Sequence, residues 1–316
     1  MNISKVGEFG LLGIIRKKVK NKDKNIKIGI GDDSAVIKIG NRLAVLTTDT
    51  LIEGDHFSLD YFKPEQVGKK ATEINVSDIT SMGGKPKYAL VSMGLRRDLD
   101  IKVFDKIYSG IIEAAKKYDI EVVGGNLTHA KQIMIDVDMI GFVKKENLCL
   151  RSQAKPGDLI FVTGDLGSST AGLNLFLKKI KGFEKVKKKH LEPESKPHKV
   201  NSFLKYINAM EDVSDGLASE IKHICEESNV GAVIYAANIP VKDETKQAAK
   251  AVSKNAIDYA LFGGEDFELV FTVSEKNLKR VKGFLVGEIR KKKGVYLYEK
   301  GKEKLISGSG YDHFMK

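Results

Sequence analysis

The sequence predicts a mixed α/β (α+β) fold in two domains, and three observations carry that prediction. The chain has 316 residues, enough for about two domains at roughly 150 residues each. Apolar residues at strand spacing interleave with apolar residues at helical spacing in both halves. A turn with adjacent Pro and Gly, Lys155-Pro156-Gly157-Asp158, separates the halves. The expected domains are 1–150 and 151–316.

In order along the chain, Lys27 to Asp33 (KIGIGDD) is a short apolar segment ending in a glycine-aspartate turn. Leu43 to Asp49 (LAVLTTD) reads as a buried strand with a polar end. Glu65 to Met82 carries Val67, Ala71, Ile74, Ile79 and Met82 near helical spacing, and Gly83-Gly84 with Pro86 stops it. Tyr88 to Leu95 is a strand, and Val103, Ile107, Ile111, Ala114, Ala115 and Tyr118 stripe the next helix. A strand at Ile120 to Val123 ends in Gly124-Gly125-Asn126. Ile133, Ile135, Val137 and Met139 alternate with period two and close the first half; Asp136 and Asp138 between them face solvent or an interface.

The second half opens with a strand, Leu159 to Thr163, a loop at Gly164 to Gly167, and a helix, Ser169 to Lys179. The lysine-rich stretch and Pro193 to Pro197 read as a long exposed connection. A helix follows Ser214-Asp215-Gly216 and runs to about Ser228. Ala232 to Tyr235, Glu268 to Val273 and Val295 to Tyr298 are further strands, and Phe262, Phe267 and Phe271 read as core.

Composition excludes several classes. With 42% hydrophobic and 30% charged residues and 6 prolines, the chain is neither disordered nor collagen-like. No apolar run reaches the ~18 residues of a membrane span, and Met1 to Lys20 does not read as a secretory signal. Cys149 and Cys225 lack metal or redox spacing. The expectation is a cytoplasmic protein without membrane contact. Net charge is +11, but much of the excess lies in Lys178 to Lys189, seven lysines in twelve residues with Phe183 the one aromatic among them. That pattern favours a solvated face over a nucleic-acid partner.

The chemistry is written in carboxylates. Five segments place Asp or Glu beside glycine or a small hydroxyl residue: Gly31-Asp32-Asp33, Thr47-Thr48-Asp49, Asn75 to Asp78, Asp212 to Gly216 and Gly263 to Asp266. Glycine lets a backbone approach phosphate, and loop N–H groups can donate to its oxygens. Aspartates beside such loops repel phosphate unless a cation lies between, and Mg²⁺ takes carboxylates, phosphate oxygens and waters together. Each segment alone is also an ordinary turn or helix cap; together they read as a multi-magnesium site for a polyphosphate. No His or Cys joins them, which disfavours zinc and iron–sulfur chemistry. GxxxxGK[ST], the protein-kinase motif set and GxSxG are absent. His129, His190, His198 and His223 show no triad spacing and read as ordinary surface or packing residues.

Nine segments in order then resemble one family: GEFGLL (Gly7 to Leu12), GIGDDSAV (Gly29 to Val36), TTDTLIEGDHF (Thr47 to Phe57), INVSDITSMGGKP (Ile74 to Pro86), VGGNLT (Val123 to Thr128), VTGDLGSSTAGL (Val162 to Leu173), DVSDGL (Asp212 to Leu217), GGEDFEL (Gly263 to Leu269) and GYDHF (Gly310 to Phe314). The pattern is similar to the thiamine-monophosphate kinases, in the superfamily of aminoimidazole ribonucleotide synthetase and selenophosphate synthetase. The resemblance implies a two-domain synthetase-like fold, N-terminal sheets pairing in a homodimer, and ATP-dependent phosphorylation of thiamine monophosphate to thiamine diphosphate with Mg.

Carried over residue by residue, it implies magnesium ligands at Asp33, Thr47, Thr48, Asp49, Asp78, Asn126, Asp212 and Asp215. Asp33, Asp49, Asp78 and Asp212 take the catalytic role among these. Tyr108, Gly125, Asn126, Arg151 and Ser214 resemble the ATP side, and His56, Glu265 and Tyr311 the thiamine side. Relatives that use a reactive N-terminal or C-terminal cysteine are disfavoured by GYDHFMK at the end and no Cys before Cys149. One departure stands out: Asn126 occupies a place where the family usually has Asp, so a neutral oxygen replaces a charged ligand. It leaves the metal count open and is the one feature favouring a catalytically reduced Mg-nucleotide-binding protein.

Overall fold

In the computed structural model, residues 2–308, 310, 311, 313 and 314 are described. The first domain opens with helix α1 (Gly7–Lys18), short strand β1 (Ile26–Ile28) and the hairpin β2 (Ala35–Ile39) and β3 (Arg42–Ile52). Helix α2 (Pro64–Ser81), strand β4 (Lys85–Leu95), helix α3 (Ile101–Lys117), and strands β5 (Glu121–His129) and β6 (Met134–Val143) complete it. The six strands lie in the order β1-β2-β3-β6-β4-β5, with only β4 and β5 parallel.

Alternation along β4 and β6 assigns the two faces of this sheet. Ala89, Val91, Met93, Ile135, Val137 and Met139 are buried beneath α2. Tyr88, Leu90, Val123 and Met134 point to the other face and are exposed, Val123 by 59%. That outer face is uncovered, apolar around Tyr88, Leu90 and Val123 and polar along the row of Thr50, Asp136, Ser92 and Asn126. The predicted helix of residues 65–82 is found as α2, with Pro64 at its start and a capping box between Lys63 and Gln66. It is clamped between the sheet, α3 and the second domain, so residues 70–77 are all buried, polar Lys70, Glu73, Asn75 and Ser77 included. At Gly68 a Cβ would strike the Ile107 carbonyl, and at Gly110 the Glu65 carbonyl, so glycine sets the close approach of α2 and α3.

The second domain contains β7 (Asp158–Val162), α4 (Ser168–Leu177), α5 (Glu184–Leu191), α6 (Pro197–Val200), β8 (Met210–Asp212), α7 (Leu217–Glu227) and β9 (Gly231–Tyr235). It ends with α8 (Asp243–Ala251), α9 (Ala256–Phe262), β10 (Leu269–Ser274), β11 (Phe284–Arg290), β12 (Gly294–Glu299) and β13 (Lys302–Leu305). Its seven strands lie in the order β13-β12-β9-β11-β7-β10-β8. Helices α4, α7, α8 and α9 cover one face, and Phe161, Phe203 and Phe271 stack into a smaller core on the other.

Three local expectations need correction. The strand begun at Ile120 does not end at Gly124-Gly125-Asn126 but runs on to His129, because β4 pairs it throughout. The lysine-rich connection contains a helix, α5, whose Val186 and His190 are buried while Lys185 and Lys188 face out. Ser195 and Lys196, within the stretch expected to be exposed, are buried too: the Ser195 N–H and the Tyr118 hydroxyl both bond Glu73. Of the three phenylalanines, Phe267 and Phe271 are core, Phe262 packs against the second-domain core at the end of α9, and Phe262 and Phe267 both also line a cavity.

Candidate active site at the junction of the two sheets

Strand β3 supplies two faces of chemistry. Thr47 and Asp49 point toward α2: the Thr47 hydroxyl donates to Asp78 Oδ2 at 2.5 Å, and Asp49 and Asp78 are hydrogen-bonded to each other. Thr48 and Thr50, one residue out of phase, turn to the outer face and both donate to Asp136, at 3.2 and 3.0 Å. Asp212, at the end of β8, accepts from Ser77 of α2 at 2.5 Å. The second domain thereby delivers its carboxylate against the first.

Burial is the main cause of the charge behaviour here, with mutual repulsion next. Asp49 is pushed up to about 7 by burial and then by Asp136 and Asp33. Asp78 and Asp212 lie well above the ordinary carboxylate range, Asp78 through burial and then Asp49. Asp33 Oδ2 is buried without a partner. A cluster of enclosed oxygen donors that repel one another, with an orphaned oxygen among them, fits a hard divalent cation such as Mg²⁺.

Two cavities meet at this cluster. The larger, about 890 Å³, is lined by Asp33, Thr47, Thr48 and Arg151, and by Leu90 and Val123 of the outer sheet face. Arg151 bonds Asp33 at 2.5 Å and Glu211 at 2.6 Å, and its backbone N–H donates to Asp32. The smaller cavity, about 380 Å³, is lined by Asp49, Asp78 and Asp215, by Ser214, and by the aromatic group His56, Tyr61, Tyr311 and His313.

Glu265 sits on the wall of the smaller cavity in a left-handed backbone conformation, φ 66°. The fully buried Lys70 ammonium meets its Oε1 at 2.5 Å, and His190 Nδ1 meets its Oε2 at 3.3 Å. Burial alone would raise this carboxyl; the Lys70 charge overrides it and holds it at about 2. Lys70 also donates to the His56 carbonyl at 2.8 Å, which fixes the 52–56 turn to the 263–267 loop. His56 is kept below its ordinary range by burial and the neighbouring His313, and its Nδ1 accepts from the Ile52 N–H. Asp266, by contrast, bonds the N–H groups of Gly167 and Ser169 and holds the start of α4.

Within one chain the structure gathers Asp33, Thr47, Asp49, Asp78, Asp212, Ser214, Asp215 and Arg151 around the cluster, with His56, Glu265 and Tyr311 on the smaller cavity. It does not gather Gly125, Asn126 or Tyr108. Asn126 pairs with Ser92 in register, Ser92 with Asp136, and Asp136 with Thr50. It therefore stands three strands from β3, roughly 14 Å at ~4.8 Å per strand, and belongs to the row of the outer face. Tyr108 lies on α3 against Phe104, beside a separate shallow surface pocket.

Sequence reasoning missed Lys70, Glu211, Glu220, His190 and His223. Lys70 carried a signal: it falls three residues after Val67 on the apolar stripe of α2, where a lysine needs a buried partner. The two histidines carried none, because their carboxylate partners are distant in sequence or spaced as ordinary helix neighbours.

Family models match both halves: AIR synthase related protein, N-terminal domain, over residues 31–143, and AIR synthase related protein, C-terminal domain, over residues 155–293. The chain is 37% identical over 322 residues to thiamine-monophosphate kinase of Aquifex aeolicus (strain VF5), covering 99% of this chain and 100% of that one. The chain belongs to the thiamine-monophosphate kinase family. Another member, from Bacillus subtilis (strain 168), is 35% identical, with 97% and 99% covered. Among solved structures, AaThiL complexed with AMPPCP and TMP superposes with a TM-score of 0.90 at 36% identity, covering 99% of both chains. A second structure, thiamine monophosphate kinase from Aquifex aeolicus, gives a TM-score of 0.83 at 35% identity, covering 96% of this chain and 100% of that one.

Proposed function

We propose that this protein transfers the terminal phosphoryl group of ATP to thiamine monophosphate, giving thiamine diphosphate and ADP. The observation that carries the reading is one carboxylate cluster shared by two cavities. Asp33, Thr47 and Thr48 line the larger, and Asp49, Asp78 and Asp215 the smaller. The larger suits a nucleotide and the smaller a cationic aromatic vitamin. A relative whose structure is complexed with AMPPCP and TMP together supports a site that takes both ligands.

In the reaction, an oxygen of the acceptor phosphate attacks the γ-phosphorus in line, and the bond from that phosphorus to the β-bridging oxygen breaks. ADP leaves with the electron pair. The acceptor oxygen is already anionic near neutral pH, so the chain needs no strong general base. The obstacle is bringing two polyanions together: two unit charges ~4 Å apart repel by about 4 kcal/mol at an effective dielectric of 20. Magnesium held by Asp33, Asp49, Asp78 and Asp212, with Thr47, Thr48 and Asp215 at its margins, would neutralise that charge. Arg151 supplies a fixed cation beside Asp33, and Ser214 an oxygen beside Asp215. Glu265 is a preorganised acceptor for the vitamin, because Lys70 and His190 hold both its oxygens. Tyr311 offers a ring face to the thiazolium.

The proposal includes a homodimer. The uncovered apolar face of the first sheet and its free edge β5 are suited to a second copy, and Asn126 on that edge would reach the cluster only from another chain. Among the described residues no helix is long and apolar enough to cross a membrane. A cytoplasmic enzyme, where ATP is supplied, is the reading in keeping with that.

Phosphorus NMR of the purified protein with ATP and thiamine monophosphate tests the function. Magnesium-dependent appearance of ADP and thiamine diphosphate is expected. ATP hydrolysis without thiamine diphosphate would assign another acceptor.

A further inference from the structure

Behind Arg151 runs a buried chain of alternating charge. From Asp33 it passes to Arg151 at 2.5 Å, to Glu211 at 2.6 Å and to His223 Nδ1 at 2.8 Å. The same His223 nitrogen reaches Glu220 at 3.1 Å. Glu220 Oε1 then accepts the backbone N–H of Asp215 at 2.7 Å and of Ser214 at 3.2 Å. Glu211 is 0% and Glu220 1% exposed, so each charge depends on its neighbours in the chain and not on water. Burial opposes a charge on His223, but Glu211 and Glu220 override it and lift it to about 10. The three side chains could geometrically ligate a metal, yet His223 would first have to lose its proton and Arg151 to release Glu211.

We propose that Glu211, His223 and Glu220 are positioning residues for nucleotide binding. His223 ties the carboxylate that aims Arg151 into the larger cavity to the carboxylate that shapes the Ser214–Asp215 loop. His223, itself on the wall of the larger cavity, thus ties Arg151 in that cavity to the Ser214–Asp215 loop that lines the smaller one. This inference rests on reading the larger cavity as the nucleotide site. It accounts for the cost of burying two glutamates behind the cluster, since neither touches substrate.

The test uses the full chain and AMPPCP with magnesium, followed by calorimetry. His223→Gln should weaken AMPPCP binding by about tenfold or more, the order seen when residues supporting a bound ion are removed. The KM for ATP should rise in parallel and by more than the KM for thiamine monophosphate, because Arg151 and His223 line the larger cavity while only the Ser214–Asp215 loop lines the smaller. Adding Glu211→Gln should cost less than the sum of the single losses, because both act through one chain. Should His223→Gln fail to fold, Glu211→Gln alone, which keeps size and hydrogen bonding, gives the same readings. Unchanged AMPPCP affinity in a folded variant, or an equal rise in both KM values, would overturn the proposal. AMPPCP binding needs no phosphoryl transfer, so a chain that binds it through His223 but makes no thiamine diphosphate would refute the kinase reading alone.

Discussion

Asp78 is held where its own charge is unwelcome, beside Asp49 and Asp212 on the wall of the smaller cavity. Such a residue serves binding at the expense of stability. Asp78→Asn should therefore reduce turnover by about a hundredfold or more, while the metal-free protein melts at the same or a higher temperature. Near-normal turnover would remove Asp78 from the site. Glu265 behaves in the opposite way. Its folded value of about 2 lies below the unfolded value near ~4.3, so the stability it contributes is present above pH ~4.3. That contribution is lost as pH falls through about 2. Denaturation midpoints measured between pH 5 and pH 2 should fall less steeply in Glu265→Gln than in the parent chain; equal slopes would contradict the Lys70–Glu265 pair. The aspartates were legible because several motifs repeated one design. Lys70 and His223 were not, since a single buried cation is recognisable only once its carboxylates are placed.

At the scale of elements, α2 joins every part of the site, giving Asp78 and Ser77 to the cluster, Lys70 to Glu265 and Glu73 to the 194–196 segment. Its position depends on Gly68 against Ile107 and Gly110 against Glu65. Gly68→Ala should cost about 1–3 kcal/mol or more by overpacking, read as a lower melting temperature, with Gly40→Ala as an informative contrast: that glycine has open space but a left-handed φ of 59°. An unchanged melting temperature for Gly68→Ala would mean that α3 can withdraw freely. The stripe on α2 and the amphipathic face of α3 were readable from spacing. Helix α5 was not, because seven lysines mask the two buried positions that anchor it, Val186 and His190.

For the whole molecule, the outer face of the first sheet decides how many chains make a site. Met134→Arg places a charge on the uncovered outer face, which Met134 shares with Asn126. If two copies pair there, sedimentation should show the variant shifted to monomer, with AMPPCP affinity and turnover falling together. A variant that remains active as a monomer would show that Asn126 has no part in the site.

The sequence by itself determined the family, the mixed α/β class and the carboxylates of the cluster, because these are written in local motifs and periodicity. The tertiary structure decided which face of β3 each threonine serves, that Asn126 stands three strands from Asp49, and that buried Lys70 and His223 organise the carboxylates. Strand order and burial bring together residues more than a hundred positions apart, and nothing in local spacing encodes which of them will meet.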